Sequence, residues 1–332
     1  MRIGQNPMIN NKIINNDFVH RIIIPVYIPN AEGYFENALD VLKLSISSLL
    51  QTVHDRTAIT IIDNTCSKEV STYLQALLEE KKIDQLVQNA INKGKVDPIV
   101  SIMRGSLEPL LTLADADVLY KQGWQAEVEK IFNAIPGVGM VSPLPQPLLF
   151  RYYSKWSWYF GSTRKCFTKA DNKDLDAVKL FKESTVGFTA FETMEKKPLG
   201  ISYNGVEAII GAGHFCATYN RQVVQHIPHH SSGNEFYGAE SLFLDKPVED
   251  AGLLRLATSK GFVYHIGNAI EHWMNDIVQY NQQTPNQASV TVEQHVQNSK
   301  GFAFRLKFAN SIIGKIISSA RFKNMAFKMA KK

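Results

Sequence analysis

The sequence predicts an α/β protein built on a mostly parallel central sheet flanked by helices, and three observations support this class. Short apolar runs rich in β-branched residues, such as Arg21–Tyr27 and Ala58–Ile62, are typical of strands that are buried on both faces. Segments of helical periodicity separate these runs. Helices between successive strands favour crossover connections, and therefore a sheet of Rossmann type.

The predicted strands and helices alternate through the first half of the chain. They are a strand at Arg21–Tyr27, a helix with apolar residues from Leu39 to Leu49, a strand at Ala58–Ile62, a helix at Glu69–Glu80, a weaker strand at Ile83–Val87, a strand ending at Asp115, a helix at Gln125–Ala134 and a strand at Gly139–Ser142. Near the end of this pattern we expect a helix at Ala251–Lys260 and a strand at Phe262–His265.

Composition places the chain among ordinary globular proteins with a sizeable core. Of the 332 residues, 45% are hydrophobic and 20% are charged. The formal net charge of +5 is unevenly distributed, because residues 300–332 carry nine Lys or Arg and no Asp or Glu. The remaining residues carry 27 basic and 31 acidic side chains, a net charge of −4. The basic character therefore belongs to a tail.

Three cysteines, Cys66, Cys166 and Cys216, lie at no metal-binding spacing, and their odd number fits a reducing compartment. The N-terminal segment is polar and rich in asparagine, without the apolar centre of a signal peptide. No stretch of about 18 consecutive apolar residues predicts a membrane-spanning helix. We therefore expect a cytoplasmic protein, either soluble or bound peripherally to a membrane.

Polar side chains follow several of the predicted strands at the point where each strand ends. Tyr27, Asp63, Asn92, Asp115 and Asp117 occupy such positions. Ligands of open α/β sheets bind beyond the carboxyl ends of the strands, so we expect these side chains to line a common site. Two carboxylates spaced one residue apart are suitable ligands for a hard divalent cation that also binds phosphate oxygens. A solvated acidic turn gives the same tripeptide, so its surroundings must decide between the two.

The sequence lacks the two glycine-rich motifs that would indicate other nucleotide-binding classes. No Gly-x-Gly-x-x-Gly follows the first strand, and no Gly-Lys-Ser/Thr of a P-loop occurs. A dinucleotide-binding enzyme or a P-loop enzyme would therefore lack its phosphate-binding loop.

The order of five short motifs resembles that of the family 2 glycosyltransferases, enzymes of the GT-A fold that transfer a sugar from a nucleotide donor with inversion. The motifs are the first strand with its proline (IIIPVY), the second strand ending in aspartate (IIDN), the Asn-x-Gly element (NKG), the Asp-x-Asp strand, and a Glu-Asp pair followed by a helix, a strand and a histidine (ED…GFVYH…EHW). Together they span about Arg21–Trp273.

The resemblance implies a role for each matching residue. It implies a nucleotide pocket formed by Pro25, Tyr27 and Asp63, in which Asp63 accepts a hydrogen bond from the base. Asn92 and Lys93 would lie near the sugar or diphosphate. Asp115 and Asp117 would hold Mn²⁺ or Mg²⁺ against the diphosphate, and His272 would assist them. Asp63 has an alternative role as a cap of the following helix.

For the proton acceptor, the resemblance points to the pair Glu249-Asp250, with Asp250 as the preferred base. Glu240 and Asp245 are also acidic and lie shortly before this pair, so the assignment depends on the spacing to Gly261. Transfer requires such a carboxylate to accept the proton of the attacking hydroxyl group. It also requires positive charge near the departing diphosphate.

The implied organisation has three parts. Residues 18–143 would bind the nucleotide sugar, residues 144–275 would bind the acceptor and supply the base, and residues 276–332 would form a helical extension. The acceptor segment includes an aromatic cluster at Tyr152–Tyr159, which could stack on sugar rings or fill a core.

The basic tail predicts a cationic amphipathic helix. Its apolar stripe comprises Phe302, Leu306, Ala309, Ile313, Ile316 and Ala320. Such a helix suits the surface of an anionic membrane, whereas nucleic-acid binding would leave the apolar stripe without a purpose. Docking on the protein itself or self-association is the alternative. The sequence thus predicts a transferase at the inner face of the cell membrane, acting on a donor such as a UDP-sugar and a glycan or lipid-linked glycan acceptor.

Overall fold

The computed structural model describes residues 3–5, 17–146, 149, 152–169, 180–181, 198–233, 239–285 and 319. The predicted amphipathic helix of the basic tail lies outside the described residues, apart from Ser319, and so does most of the segment 170–197. Within the described part of the chain, no helix is long and apolar enough to cross a membrane.

Twelve strands are present in the described residues. They are β1 (His20–Val26), β2 (Thr57–Asp63), β3 (Gln85–Gln88), β4 (Leu110–Ala114), β5 (Val118–Tyr120), β6 (Val138–Ser142), β7 (Phe167–Lys169), β8 (Leu199–Tyr203), β9 (Val206–Ile210), β10 (Cys216–Asn220), β11 (Leu254–Thr258) and β12 (Val263–His265).

The helices of the described residues flank these strands. They are α1 (Ala38–Thr52), α2 (Lys68–Glu79), α3 (Val96–Gly105), α4 (Trp124–Ala134), α5 (Lys155–Thr163), α6 (Lys246–Asp250) and α7 (His272–Gln283), with a π-helical segment at Ser241–Asp245 directly before α6.

Ten strands form one sheet in the order β3-β2-β1-β4-β10-β6-β11-β9-β8-β7, and β5 pairs with β12 in a second, two-stranded sheet. The pairs β1–β2, β1–β4, β2–β3 and β6–β11 are parallel, and the other neighbours are antiparallel. Following these directions across the sheet, only β10, β9 and β7 run against the other seven strands. The prediction of a mostly parallel sheet flanked by helices is confirmed.

The central strands are apolar on both faces because helices cover both faces. Along β1, Ile22, Ile24 and Val26 belong to one hydrophobic cluster, while Ile23 belongs to a second cluster on the opposite face. Both clusters are fully buried at these positions. This arrangement explains why the strand is a continuous β-branched run rather than an alternating one.

The prediction of a helix at Ala251–Lys260 is wrong, because this segment contains the central strand β11. All five residues of β11 are buried between β6 and β9, including the charged Arg255. A fully buried strand has no polar alternation, so its local pattern is easily confused with that of a helix. The strand at Phe262–His265 is confirmed as β12.

Candidate active site

A cleft of about 430 Å³ opens beyond the carboxyl ends of β1 and β4. In open α/β sheets this is the edge where ligands bind. Among the residues that line the cleft are five of those named for the donor and metal sites, namely Pro25, Tyr27, Asn92, Asp115 and Asp117. Asp63 and Lys93 do not line it, although their chain neighbours Asn64, Asn92 and Gly94 do.

Asp115 and Asp117 lie in the turn that joins β4 to β5, and backbone hydrogen bonds fix this turn on two sides. The Asp115 N–H donates to the carbonyl of Phe215 at 2.8 Å, and the Ile266 N–H donates to the carbonyl of Asp117 at 2.9 Å. Phe215 precedes β10 and Ile266 follows β12, so the turn is held between the two sheets. The carboxylates are thus presented by a fixed backbone.

His265, the last residue of β12, completes a group that could hold a metal ion. Its Nε2 lies 3.4 Å from Oδ2 of Asp117. Asp115, Asp117 and His265 each offer one ligand atom, and these atoms lie within 4.8 Å of one another. Two carboxylate oxygens and one imidazole nitrogen suit Mn²⁺ or Mg²⁺, and the partial exposure of all three side chains leaves coordination positions open. The residues therefore fit a divalent cation.

The electrostatics of this group favour a cation. Burial raises the pKa of Asp117, His265 opposes that rise, and the nearby charge of Asp115 adds to it. A group of carboxylates that is costly to ionise without a counter-charge gains from a bound cation.

His272, which the resemblance implies as a metal ligand, lies elsewhere. It is the first residue of α7, and its side chain is exposed. The structure brings His265, not His272, to Asp117. His265, and not His272, is therefore the third candidate ligand.

Asn64 organises the loop that carries Asn92. Its side-chain amide donates to Oδ1 of Asn92 at 2.8 Å and to the carbonyl of Gly94 at 3.0 Å. Its side-chain oxygen accepts the backbone N–H of Lys93 at 3.0 Å. Asn64 thus fixes the Asn-x-Gly element at the wall of the cleft, while the side chain of Lys93 is exposed.

Asp63 is buried, and both of its carboxylate oxygens are engaged. One accepts the backbone N–H of Cys66 at 2.8 Å, and the other accepts the hydroxyl of Ser71 at 2.5 Å. These bonds fit the alternative role, in which Asp63 stabilises the start of α2. A contact between Asp63 and a nucleobase stays a prediction.

Lys95 forms ion pairs with Asp115, one of the candidate metal ligands, and with a second acidic residue, Glu240. Its ammonium lies 2.5 Å from Oδ1 of Asp115 and 2.5 Å from Oε1 of Glu240. Burial alone would lower the pKa of Lys95, but the two carboxylates outweigh burial and raise it. Lys95 is therefore a permanent positive charge in the wall of the cleft.

A chain of charges continues from Glu240 into the protein. Nε2 of His214 lies 3.3 Å from Oε2 of Glu240, and its Nδ1 lies 3.1 Å from Oδ2 of Asp245. Burial opposes protonation of His214, but hydrogen bonds to both carboxylates raise its pKa to about 9. Arg255, which is 1% exposed, pairs with Asp245 at 3.0 Å. Burial would raise the pKa of Glu240, yet His214 and Lys95 lower it to about 2.

The Glu249-Asp250 pair ends α6 instead of opening a helix, because the residues after it form β11. Glu249 binds Lys155 through its side chain, at 3.2 Å to the backbone N–H and 3.3 Å to the ammonium. Asp250 is 41% exposed and pairs with Lys246. Neither residue lines the cleft. The spacing to Gly261 that favoured Asp250 presupposed a helix, so that argument no longer applies.

The aromatic cluster at Tyr152–Tyr159 is divided between core and surface. Trp156 and Trp158 are 3% and 1% exposed and belong to the main hydrophobic cluster, whereas Tyr152 is 60% exposed. Of the two roles considered for the cluster, the two tryptophans have the core-filling one.

A second group with the geometry of a metal site lies at the amino-terminal end of β1, away from the cleft. It comprises His20, His54 and Glu129, all buried. Oε1 of Glu129 lies 3.0 Å from Nδ1 of His20 and 2.9 Å from Nε2 of His54. Its Oε2 has no partner within the described residues.

The sequence did not lead us to three residues of this region, namely Lys95, His214 and His265. His265 ends a predicted strand, so the strand-end argument applied to Asp63 and Asp115 would have drawn attention to it. Lys95 follows the Asn-x-Gly element directly, but nothing local indicates that it reaches Asp115. His214 carries no sequence signal that we recognise.

Comparison with known proteins gives distant structural likeness only. No family model matches the chain, and no curated protein matches it. The structure is similar to the mannosyltransferase PcManGT from Pyrobaculum calidifontis, in complex with GDP-Man and Mn²⁺, at 10% identity and a TM-score of 0.43 over 94% of this chain and 84% of that one.

Two further solved structures show comparable likeness. S. aureus TarS 1–349 has 9% identity and a TM-score of 0.41, covering 88% of this chain and 72% of that one. The inositol-1-phosphate CTP transferase from T. maritima has 9% identity and a TM-score of 0.40, covering 82% and 99%. At this level of likeness a reaction cannot be transferred from one protein to another, so the function must be argued from the residues of the cleft.

Proposed function

We propose that this protein is a metal-dependent inverting glycosyltransferase of the GT-A type, which moves a sugar from a nucleoside-diphosphate donor to a glycan or lipid-linked glycan acceptor. The observation that carries the proposal is the convergence of Asp115, Asp117 and His265 on a cleft at the carboxyl ends of the parallel strands. UDP-sugars are our first choice of donor, and surface polysaccharide assembly is the setting we infer.

In this proposal Asp115, Asp117 and His265 hold Mn²⁺ or Mg²⁺, which when bound neutralises charge on the departing diphosphate. Tyr27, which is 44% exposed at the cleft, offers a ring against which a nucleobase can stack. Asn92, held by Asn64, offers an amide to the sugar or diphosphate. These groups bind and orient the donor so that its anomeric carbon faces the acceptor.

For the proton acceptor we favour Glu240 over Asp250 and Glu249. None of the three acids is among the residues that line the cleft, but Glu240 pairs with Lys95, a lining residue that also pairs with Asp115. Glu249 and Asp250 are paired with Lys155 and Lys246, which do not line the cleft. The ion pairs with His214 and Lys95 lower the pKa of Glu240 and keep it ionised at neutral pH, and loss of one of these two cations would make it a stronger proton acceptor. Asp250 and Glu249 remain the alternatives that the resemblance implies.

Isothermal titration of the protein with UDP, with and without Mn²⁺, tests the proposal. We expect binding that requires the metal and is lost in Asp117→Ala, followed by turnover in a screen of UDP-sugars. Binding of a different nucleoside diphosphate would keep the reaction class and change the donor. Failure to bind any nucleoside diphosphate in the presence of metal would refute the proposal.

Two alternative functions can be distinguished by assays on the same purified protein. A nucleotidyltransferase would use a nucleoside triphosphate and a sugar phosphate, and release of pyrophosphate would identify it. The loop after β1 argues against this function, because its sequence IPNAEGYF has no glycine-rich motif with Arg and Lys. A non-catalytic glycan- or membrane-binding protein on a GT-A scaffold would neither transfer nor hydrolyse the donor.

We further propose that residues 302–332 bind the inner face of the cell membrane as a peripheral amphipathic helix. The proposal depends on the apolar stripe and on nine basic residues in 300–332, with no acidic residue among them. Cosedimentation with vesicles that contain anionic lipid, compared with neutral vesicles, tests it. Equal binding to both kinds of vesicle would exclude electrostatic attachment.

A further inference from the structure

The proposed base and the proposed metal ligands share one counter-ion. Lys95 lies 2.5 Å from Asp115 on the donor side and 2.5 Å from Glu240 on the other side. Of the described residues that line the cleft, only Lys95 is a lysine or an arginine. The diphosphate of a donor that enters the cleft would therefore meet this ammonium.

Glu240 is held by one cation at each carboxylate oxygen. Lys95 occupies Oε1 and His214 occupies Oε2. A carboxylate whose two oxygens are both ion-paired is a poor proton acceptor, since each cation stabilises the ionised form. His214 is fixed on its other side by Asp245, which in turn is paired with the buried Arg255. Lys95 is 35% exposed and, apart from Glu240, pairs only with Asp115 among the described residues, so it is the partner that can leave.

We propose that Lys95 couples donor binding to activation of Glu240: its ammonium pairs with Asp115 and Glu240 in the unliganded cleft, and turns to the diphosphate when the donor binds. This inference rests on the proposed function. It makes Lys95 both a ligand of the donor and a positioning residue for Glu240. The exchange is an ion-pair exchange, in which a phosphate oxygen replaces the Glu240 carboxylate at the same ammonium group and no covalent bond changes.

The proposal predicts that removal of the Lys95 ammonium changes the affinity for the metal and the affinity for the diphosphate in opposite directions. Removing the ammonium beside Asp115 removes repulsion of a divalent cation, so Lys95→Met should bind Mn²⁺ more tightly, by about fivefold or more. The same variant should bind UDP more weakly at saturating Mn²⁺, by about tenfold, while its affinity for uridine changes little. Lys95→Arg retains the charge and should recover much of the UDP affinity. Misfolding of the variant would weaken the binding of both Mn²⁺ and UDP, so it cannot explain tighter Mn²⁺ binding together with weaker UDP binding.

The role of Glu240 is tested by a double-mutant cycle with Lys95. Because Glu240 and the diphosphate compete for one ammonium, Glu240→Gln should tighten UDP binding by a few fold in the wild-type background. In the Lys95→Met background the same change should have no effect on UDP binding, since the shared ammonium is absent. Lys130→Met, at an exposed ion pair on α4, is the matched control for removal of a lysine.

The measurements are Mn²⁺ binding, followed by the electron paramagnetic resonance signal of free Mn²⁺, and titration calorimetry with UDP and uridine on the full chain. Opposite changes in metal and UDP affinity, with non-additivity between Lys95 and Glu240, would support the proposal. Wild-type UDP affinity in Lys95→Met, or additive effects in the cycle, would overturn it while leaving the proposed function intact. If the wild-type protein bound no nucleoside diphosphate, the proposed function would fail first.

Discussion

Replacement of Glu129 by Gln should destabilise the protein strongly, although this residue lies far from the candidate active site. Glu129 is completely buried on α4 and accepts hydrogen bonds from His20 on β1 and from His54 after α1. Gln125 supports the same cluster, because its side-chain oxygen accepts the backbone N–H of His54 at 3.1 Å. The cluster ties α4 and the end of α1 to the first strand of the sheet.

The magnitude follows from the two bonds to Glu129. Hydrogen bonds to a charged group contribute about 1.5–3 kcal/mol each, and those between neutral groups about 0.5–1.5 kcal/mol. Loss of the charge therefore costs about 1–1.5 kcal/mol per bond, or about 2–3 kcal/mol for the pair at 3.0 and 2.9 Å. With an unfolding entropy of about 2.1 cal/mol/K per residue, we expect a fall in melting temperature of roughly 3–4 °C for a chain of this size.

The effect should depend on pH with a defined sign. Burial alone would raise the pKa of Glu129, but the hydrogen bonds from His20 and His54 outweigh it and lower the pKa below 4.5. A carboxyl group whose pKa is lower in the folded state stabilises the fold fully above its unfolded pKa of about 4.3–4.5. That contribution is lost as pH falls through the folded pKa. The stability difference between wild type and Glu129→Gln should therefore be full at pH 7 and shrink below about pH 4.5.

The assay is thermal unfolding followed by circular dichroism at pH 7 and at pH 4. Glu127→Gln is the matched control, because Glu127 lies on the same helix and is 40% exposed. Its ion pair with Lys130 is long, at 3.4 Å. A surface pair of this kind contributes less than about 1 kcal/mol. Equal melting temperatures for the two variants at pH 7 would refute the reasoning about Glu129.

Two further predictions use matched pairs of variants. His265→Ala should weaken Mn²⁺ binding by about tenfold to a hundredfold, whereas His272→Ala should leave it unchanged, and the reverse result would restore His272 as the ligand. Gly161→Ala should lower the free energy of unfolding by about 1–3 kcal/mol, because its Cβ would lie 2.3 Å from the ring of Phe167. Gly105→Ala meets no atom within 4 Å and should not destabilise, so equal unfolding midpoints in denaturant would contradict the packing argument.

The parallel half of the sheet could be predicted because its strands are buried on both faces. A strand such as Thr57–Asp63, with all seven residues buried, must be apolar and β-branched along its whole length. The same rule failed at β11, where Arg255 interrupts the apolar run. Arg255 pairs with Asp245 and donates to the carbonyls of Tyr152 and Ala212, and these contacts, which the sequence does not reveal, allow a guanidinium in a central strand.

The hairpin β8–β9 could have been predicted but was not. Asn204 and Gly205 form its two-residue turn, and both have positive φ angles of 48° and 75°. An Asn-Gly pair between two apolar runs is a strong sequence signal for this turn, because both central residues must adopt the left-handed region. The Asn-Gly pair was therefore sufficient to predict strands β8 and β9 on either side of it.

Sheet geometry alone predicts which strand-end residues lie close together. Parallel strands bring their carboxyl ends to one edge, so Tyr27 and Asp115 meet at the cleft without any knowledge of side chains. His265 depends on the antiparallel pairing of β12 with β5, which places His265 opposite Val118, next to Asp117. That pairing joins strands far apart in the chain, and their periodicity does not specify it.

The two histidine–carboxylate groups of this protein differ in a way that decides which of them should bind a metal. In the buried group, Nδ1 of His54 accepts the backbone N–H of Arg56 at 3.2 Å, so Nε2 carries the proton that faces Glu129. A protonated nitrogen cannot coordinate a metal, because its lone pair is used. His265 in the cleft has a side chain that is 18% exposed, and its Nε2 faces the carboxylate of Asp117. Mn²⁺ should therefore bind to the cleft and not to the buried group, so that Asp117→Ala removes binding and Glu129→Gln, measured below its melting temperature, retains it.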